Sequence, residues 1–409
     1  MVVKQIAIYL PQYHTIPEND KAWGEGFTEW TNVKKAKPLF EGHYQPHIPH
    51  ERVGYYDLSD PQVLIKQAAL AKEYGIHGFA YYHYWFNGKL LLNDPLDVML
   101  KAGKPDFPFC YIWANENWTR RWDGADDDII VKQEYSFEDD LQHIKFLCEN
   151  VFCDKRYITI DGKPLFLVYR TELFPDIKKT VSIWREQAKK YGFKDIYLVR
   201  VESFVKDIIP ADIGFDGAME FGPDWTCTNK NPIRIFNKLI FDYPTIVFNM
   251  AFKRTSHQYF HCVFPGWDNT SRKPGIEAYL FANNSPHLFK FFLEKQMDST
   301  IKKFNKDAER ILFINAWNEW GEGCHIEPDE KNGMEYLDVC KNAKPISNEL
   351  FESYCQERIN SLSIENGEIS NKYEMLSRKY NHLLNTKAYK IGKKIITKYR
   401  RAKNLFKQK

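Results

Sequence analysis

No stretch of the 409-residue sequence approaches the ~18 consecutive apolar residues that a membrane-crossing helix requires. The chain also lacks the charged start and long apolar core of a secretory leader. Met1-Val2-Val3-Lys4-Gln5-Ile6 enters a strand-like segment at once, so no such leader is expected. The 8 cysteines (Cys110, Cys148, Cys153, Cys227, Cys262, Cys324, Cys340, Cys355) contain no CxxC and no regular spacing. That excludes a zinc framework of cysteines and reads as reduced thiols of a cytoplasmic protein. No histidine pair has zinc-ligand spacing with a matching third ligand. Neither a GxGxxG turn nor a Walker A loop occurs. No metal and no cofactor are therefore expected. Internal repeats are missing too; the two Trp-Gly-Glu-Gly tetrads, at 23–26 and 320–323, read as coincidence.

Aromatic residues are abundant. They make up 16% of the chain, with 24 Tyr, 29 Phe and 11 Trp, and many stand beside polar residues rather than inside apolar runs. That placement favours an aromatic-lined cleft over a purely packed core. Charge is unevenly spread. Residues 372–409 hold 13 Lys/Arg against one acidic residue, a net +12, which leaves −9 on residues 1–371 of a chain whose total is +3.

Eight strand-like segments recur, at 4–11, 77–85, 107–114, 165–170, 196–202, 216–221, 260–266 and 310–317. Helical patterns fall between most of them, notably 61–74, 137–150, 177–191 and 286–304. Strands alternating with helices predict a parallel sheet, and eight units predict an α/β fold of the (β/α)8, or TIM, barrel type over residues 1–345. A doubly wound sheet is the competing architecture, but the first strand ends in Leu10-Pro11-Gln12-Tyr13-His14 and not in a glycine-rich turn. The first connection, 15–60, shows no strong helix and has the length of a functional loop. A helical segment follows at 346–385, where Ile369, Tyr373, Leu376, Tyr380 and Leu383 form a short heptad seam suited to an oligomer contact at 369–383. The last piece, 386–409, is a basic amphipathic tail with Ile391, Ile395, Tyr399, Ala402 and Phe406 on one face. It reads either as a solvated charged terminus or as a peripheral membrane contact. Without a recognisable nucleic-acid fold beside it, no nucleic-acid partner is expected.

The densest chemistry lies in Trp317-Asn318-Glu319-Trp320-Gly321-Glu322-Gly323, directly after the apolar run Ile311–Ile314. A carboxylate is costly to bury, so two of them at the end of a buried strand point to a use. Carboxylate pairs do acid, base and nucleophilic work at glycosidic bonds, and aromatic faces stack on sugars. A helix-capping glutamate beside a solvated one would spell the same letters. In a barrel the chemistry collects at the C-terminal strand ends. Those ends carry Tyr13 and His14; His83, Tyr84 and Trp85; Trp113, Asn115, Glu116 and Trp118, then Arg121; Glu202; Glu220; Trp267; and Asn318, Glu319 and Glu322. Each alone is more simply a local hydrogen-bonding or packing residue. Together they describe a carboxylate- and aromatic-lined cleft for a carbohydrate. Asp126-Asp127-Asp128 reads as a metal–diphosphate cluster or as an exposed acidic loop.

The segments IAIYLPQYHTIPEND, WGEGFTEW, HYQPH, FAYYHYWF, IWANENWTRRWDG, GKPLFLVYR, PGWDNTSR and INAWNEWGEGCHIEPD, in that order, resemble the WbsX-type proteins of bacterial O-antigen and capsule clusters, usually described as glycosyltransferases. The resemblance covers about residues 4–340. A thinner one, resting on the barrel and on Glu-Trp-x-Glu-Gly, runs to glycoside hydrolase family 99, the endo-α-mannosidases and endo-α-mannanases. It implies two catalytic carboxylates. Glu319 would act as base on the substrate's 2-hydroxyl, giving a 1,2-anhydro sugar with overall retention. Glu322 would act as acid to the leaving oxygen and then as base to the acceptor. A bend at Gly321 would bring both onto one side of the cleft. The hydrolases typically have His where this chain has Gly321.

Three functions follow for test. The first is a glycosyltransferase or transglycosylase of lipopolysaccharide O-antigen or capsule synthesis. It would be cytoplasmic or peripheral at the inner membrane face, acting on a carbohydrate, possibly a lipid-linked glycan. The second is an endo-acting retaining glycoside hydrolase. The third is a non-catalytic glycan-binding protein.

Overall fold

The structure is a computed structural model that describes residues 2–120, 125–206, 208–235, 237–273 and 276–353. Nine short parallel segments form the central sheet: β1 (Lys4–Tyr9), β2 (Gly78–Phe86), β3 (Phe109–Trp113), β4 (Lys163–Val168), β5 (Tyr197–Glu202), β6 (Gly217–Glu220), β7 (Tyr259–Phe260), β8 (Cys262–Val263) and β9 (Ile311–Ile314). β1 pairs with both β2 and β9, and the order around the sheet follows the chain.

The barrel closes through a divided seventh strand. β7 pairs with β6, Ala218 opposite Tyr259, whereas β8 pairs with β9, Cys262 opposite Phe313. His261 is the joint, and its carbonyl still accepts from the Phe313 amide at 2.9 Å. The sequence expectation of a (β/α)8 barrel is met, with the eighth unit built from β9. The nearly closed barrel fills its interior with side chains, as barrels of this kind require.

Two short helices lie in the first connection, α1 (Pro17–Trp23) and α2 (Glu29–Lys35). The outer ring is α3 (Pro61–Glu73), α4 (Asp94–Ala102), α5 (Phe137–Asn150), α6 (Ile177–Lys190), α7 (Tyr243–Ala251), α8 (Pro286–Lys303) and α9 (Glu335–Asn342). Their starts follow capping chemistry. Asp60, Ser136, Asp176, Asp242 and Ser285 each accept a backbone N–H of the first turn through the side chain, which satisfies one of the donors a helix start leaves over.

Two expectations differ from the structure. The first connection carries α1 and α2 where no strong helix was expected, because seven-residue helices are too short to show a hydrophobic period. The Asp126–Asp128 run belongs to a strand, Ala125–Val131, paired with Trp118–Arg120 in a small hairpin, rather than to an open loop.

The first compact unit spans Met1–Ser347. Arg121, the seam at 369–383 and the basic tail at 386–409 lie outside the described residues. Among the described residues no helix is long and apolar enough to cross a membrane.

Candidate active site

After β9 the chain makes a tight hairpin. Asn318–Glu319 pairs antiparallel with Cys324–His325, and a 3₁₀ turn, Trp320–Glu322, joins them. In a 3₁₀ turn side chains three apart eclipse. The turn therefore puts the side chains of Glu319 and Glu322 on one side. Both reach the same guanidinium: Arg272 Nη2 lies 2.8 Å from Glu319 Oε2, and Nη1 lies 2.6 Å from Glu322 Oε1. Arg272 Nε meets Glu29 Oε1 of α2 at 2.8 Å. One cation thus serves three carboxylates from three separate segments of the chain.

The two glycines of the hairpin have different tasks. Gly323 takes the left-handed conformation, φ +56°, and closes the turn. The bend does pass through Gly321, the middle of the 3₁₀ turn, but needs no left-handed conformation there. A Cβ there would stand 1.7 Å from Glu29 Oε1 and 2.8 Å from Arg272 Nε, so it is glycine because Glu29 and Arg272 occupy the side-chain space. The neighbouring loop fastens the hairpin from outside. Ser271 Oγ donates to the Gly321 carbonyl at 2.7 Å, and the Asp268 amide donates to the Glu322 carbonyl at 2.6 Å.

Electrostatics divide the pair. Three carboxylates around one guanidinium carry a formal surplus of negative charge, and a buried surplus is relieved by keeping a proton. Burial pushes the Glu322 carboxyl up to about 8; Arg272 opposes this, and Glu319 and Glu29 add to it. Glu319 is also raised, chiefly by burial, with Arg272 pulling it back down. Burial thus favours a proton held within the pair, with Glu322 raised into the neutral range. Arg272 itself is held protonated by the three carboxylates against its burial.

A second carboxylate orders the scaffold. Buried Glu327 accepts from Trp317 Nε1 (2.9 Å), Trp320 Nε1 (2.8 Å), Gln67 Nε2 (2.7 Å) and Tyr56 OH (2.9 Å). Burial raises it to about 7 while these four donors hold it down. The indoles flanking the carboxylate pair are consequently locked inside: Trp317 is 0% and Trp320 1% exposed, so neither offers a face to a sugar.

Glu319 and Glu322 open into a cleft of about 570 Å³ at the C-terminal ends of the strands, within the ~300–1,000 Å³ common for ligand sites. Of the sequence-predicted residues, Tyr84, Glu116, Trp118 and Trp267 also line it. Glu116 is held by Arg170 Nη1 at 2.7 Å.

Nine others stand behind the wall. Along β2, Tyr82 and Tyr84 face the cleft, so the strand's period of two turns His83 and Trp85 outward. His83 Nε2 meets His143 Nε2 at 2.9 Å, and Trp85 Nε1 donates to Asp139 at 2.8 Å, both on α5. Trp113 Nε1 donates to the Trp85 carbonyl. Asn115 exchanges hydrogen bonds with the Arg170 backbone. Asn318 does the same with Leu10, and Tyr13 OH donates to the Asn318 carbonyl. His14 is buried, with its pKa lowered mainly by burial. Glu202 pairs with Arg200 (3.2 Å) and His257 (2.8 Å). Glu220 lies 3.7 Å from both Lys253 and His261. Sequence reasoning did not single out Arg272, Tyr169, Ser203 or Phe204, which line the cleft, or Glu327, and it placed Glu29 only within the long first connection. For Arg272, Glu29 and Glu327 the signal was their place in PGWDNTSR, WGEGFTEW and CHIEPD.

Comparison with known proteins fits this geometry. The family described as Glycosyltransferase WbsX matches residues 5–340. The chain belongs to that family. Two relatives called "Uncharacterized protein WxcX", from two strains of Xanthomonas campestris pv. campestris, are each 39% identical over 346 residues, or 83% of this chain. The chain spans about half, 49%, of their length. Among solved structures, a "Glycoside hydrolase-like protein" superposes with TM-score 0.54 at 13% identity, covering 84% of this chain and 94% of that one. A GH99 endo-α-mannosidase from Bacteroides thetaiotaomicron superposes with TM-score 0.53 at 14% identity, covering 86% and 97%. At such identities the likeness shows a shared barrel.

Two predictions follow from the geometry. Gly321→Ala should destabilise the fold by about 1–3 kcal/mol through overpacking. In a Glu29→Ala background, where the 1.7 Å clash is gone and only the Arg272 contact remains, the same change should cost markedly less. Urea unfolding of the four proteins measures the coupling, and additive costs would refute the steric account.

The second concerns pH. Glu322 is raised from an ordinary 4.5 to about 8, so the folded state binds more protons than the unfolded one between those values. That stabilising contribution is complete below about 4.5 and is lost as pH rises through about 8. Urea midpoints should therefore fall from pH 5 to pH 8.5 more steeply for the wild type than for Glu322→Gln. Equal slopes would show that Glu322 does not hold the proton.

Proposed function

We propose that the protein transfers a glycosyl unit, with retention, during assembly of a bacterial surface polysaccharide such as O-antigen or capsule. The observation that carries the reading is the Glu319–Arg272–Glu322 arrangement at the floor of the cleft: two carboxylates on one guanidinium, one of them protonated near neutral pH.

In the first half-reaction ionised Glu319 takes the proton of the donor's 2-hydroxyl. The 2-oxygen attacks C1, the bond from C1 to the leaving oxygen breaks, and Glu322 gives that oxygen its proton. A 1,2-anhydro sugar results. In the second half Glu322, now a carboxylate, takes the proton of the acceptor hydroxyl. The acceptor oxygen attacks C1, the epoxide opens, and Glu319 returns its proton to the 2-oxygen. Two inversions give retention, and each glutamate ends as it began. Arg272 disperses the charge that passes between the two carboxylates. Tyr84, Trp118 and Trp267 offer the aromatic faces for the sugar rings.

Water in place of an acceptor hydroxyl would make the same machinery an endo-hydrolase, so acceptor control decides the outcome. For acceptor we propose a lipid-linked glycan at the cytoplasmic face of the membrane. The support is the net +12 of residues 372–409, a charge drawn to anionic lipid.

Product analysis by mass spectrometry tests the reaction. Protein and a Glu322→Gln control would be incubated with nucleotide-sugar donors plus a lipid-linked acceptor, and separately with α-mannan oligosaccharides. A glycan one sugar longer, absent with the control, is expected. Shortened oligosaccharides would replace transfer by hydrolysis, and an unchanged product with the control would remove Glu322 from the mechanism. For the tail, deletion of residues 386–409 should shift the protein from membrane to soluble fractions; unchanged partition would exclude the membrane contact.

A further inference from the structure

HYQPH and CHIEPD find no use in the carboxylate chemistry, yet the fold brings them together. The first connection and the segment after the catalytic hairpin run side by side. His50 N–H donates to the Pro328 carbonyl at 2.9 Å and Glu330 N–H to the Ile48 carbonyl at 2.8 Å, and Pro49 and Asp329 form a β-bridge. This frame places His47 Nδ1 2.8 Å from His325 Nε2. One ring nitrogen of each histidine and a carboxylate oxygen of Asp329 all lie within 4.8 Å of one another. They border a cavity of about 300 Å³ that is distinct from the catalytic cleft and shares Trp267 with it.

We propose that His47, His325 and Asp329 bind one zinc ion, or a divalent transition ion of the same preference, which clamps the first connection to the catalytic hairpin. Two imidazoles and a carboxylate are a common zinc set, with bonds of about 2.0–2.2 Å, and three donors within the observed spread fit around one such ion. Two of the three donors, His325 and Asp329, are oriented from behind, as outer-shell groups orient ligands. His325 Nδ1 donates to the Glu327 carbonyl at 2.9 Å, which leaves a lone pair on Nε2 facing His47. Asp329 accepts from the Asn332 amide at 2.6 Å and side chain at 3.1 Å, and its oxygens keep further lone pairs.

The proton between the two rings then belongs to His47 Nδ1. Binding through that atom moves it to Nε2 of the same ring by way of solvent, so the site takes the ion with no net change at either histidine. Lys331 borders the cavity over the Tyr44 ring, and its charge opposes a cation; Asp329, and Asp268 on the far side of the cavity, offset it. The fourth position would fall to solvent in the cavity. His325 stacks on Trp320 at 3.7 Å between ring centroids, so an ion there would stiffen the catalytic turn from outside.

Sequence spacing could not show this set, because His47 lies 278 residues from His325. The test uses the full chain, stripped with chelator, desalted and titrated with cobalt(II). About one equivalent is expected per chain, with visible d–d absorption of a low-coordinate nitrogen and oxygen site that added zinc abolishes. His47→Gln and Asp329→Asn should each weaken binding by about tenfold or more. Circular dichroism checks that each variant is folded. Binding of well under one equivalent by the wild type overturns the proposal without recourse to any variant. So does undiminished binding by either folded variant.

Discussion

The site depends on one guanidinium. Arg272 is buried and meets Glu29, Glu319 and Glu322 at 2.8, 2.8 and 2.6 Å. Remove it, and three carboxylates face one another without a counter-charge, in an interior that penalises each of them. Its presence still leaves the three carboxylates, when all are ionised, two positive charges short of balance. That shortage favours a proton held within the pair. Two like residues three positions apart are both raised by burial and both pulled down by the same arginine, and the balance lies higher at Glu322.

Around this centre the chain has built a second, less visible layer. Glu327 gathers two indoles, an amide and a phenol, and Asn318 and Tyr13 tie the hairpin to the end of β1. The result is a pair of carboxylates carried on a turn whose backbone has little freedom. Rigid support of this kind is what a reaction with two proton transfers requires, since small displacements of the reacting groups cost rate steeply.

Much of this was legible in the sequence. Apolar runs of strand length, spaced by capped amphipathic helices, located the barrel. The Glu319–Glu322 doublet stood out because charge so near the end of a buried strand is expensive. What could not be read was direction. His83, Trp85 and Trp113 sit at the right height on their strands but face the helices, because alternate residues of a strand point opposite ways and the sequence does not mark which way is in. Nor could distance along the chain reveal Arg272 and Glu29, which are 243 residues apart and meet only when the barrel closes. Trp317 and Trp320 illustrate a further limit. A tryptophan beside a carboxylate can stack on a ligand or donate its N–H inward, and composition is the same in both cases.

The close fit of residue 321 to Glu29 also bears on descent. With Glu29 in place a Cβ at 321 would stand 1.7 Å from its Oε1, so a side chain gained there pushes the Glu29 carboxylate aside and takes one partner from Arg272. Conversely, a chain with bulk at 321 meets the same clash on gaining a glutamate at 29. Each position makes change at the other costly, so the two are expected to change together.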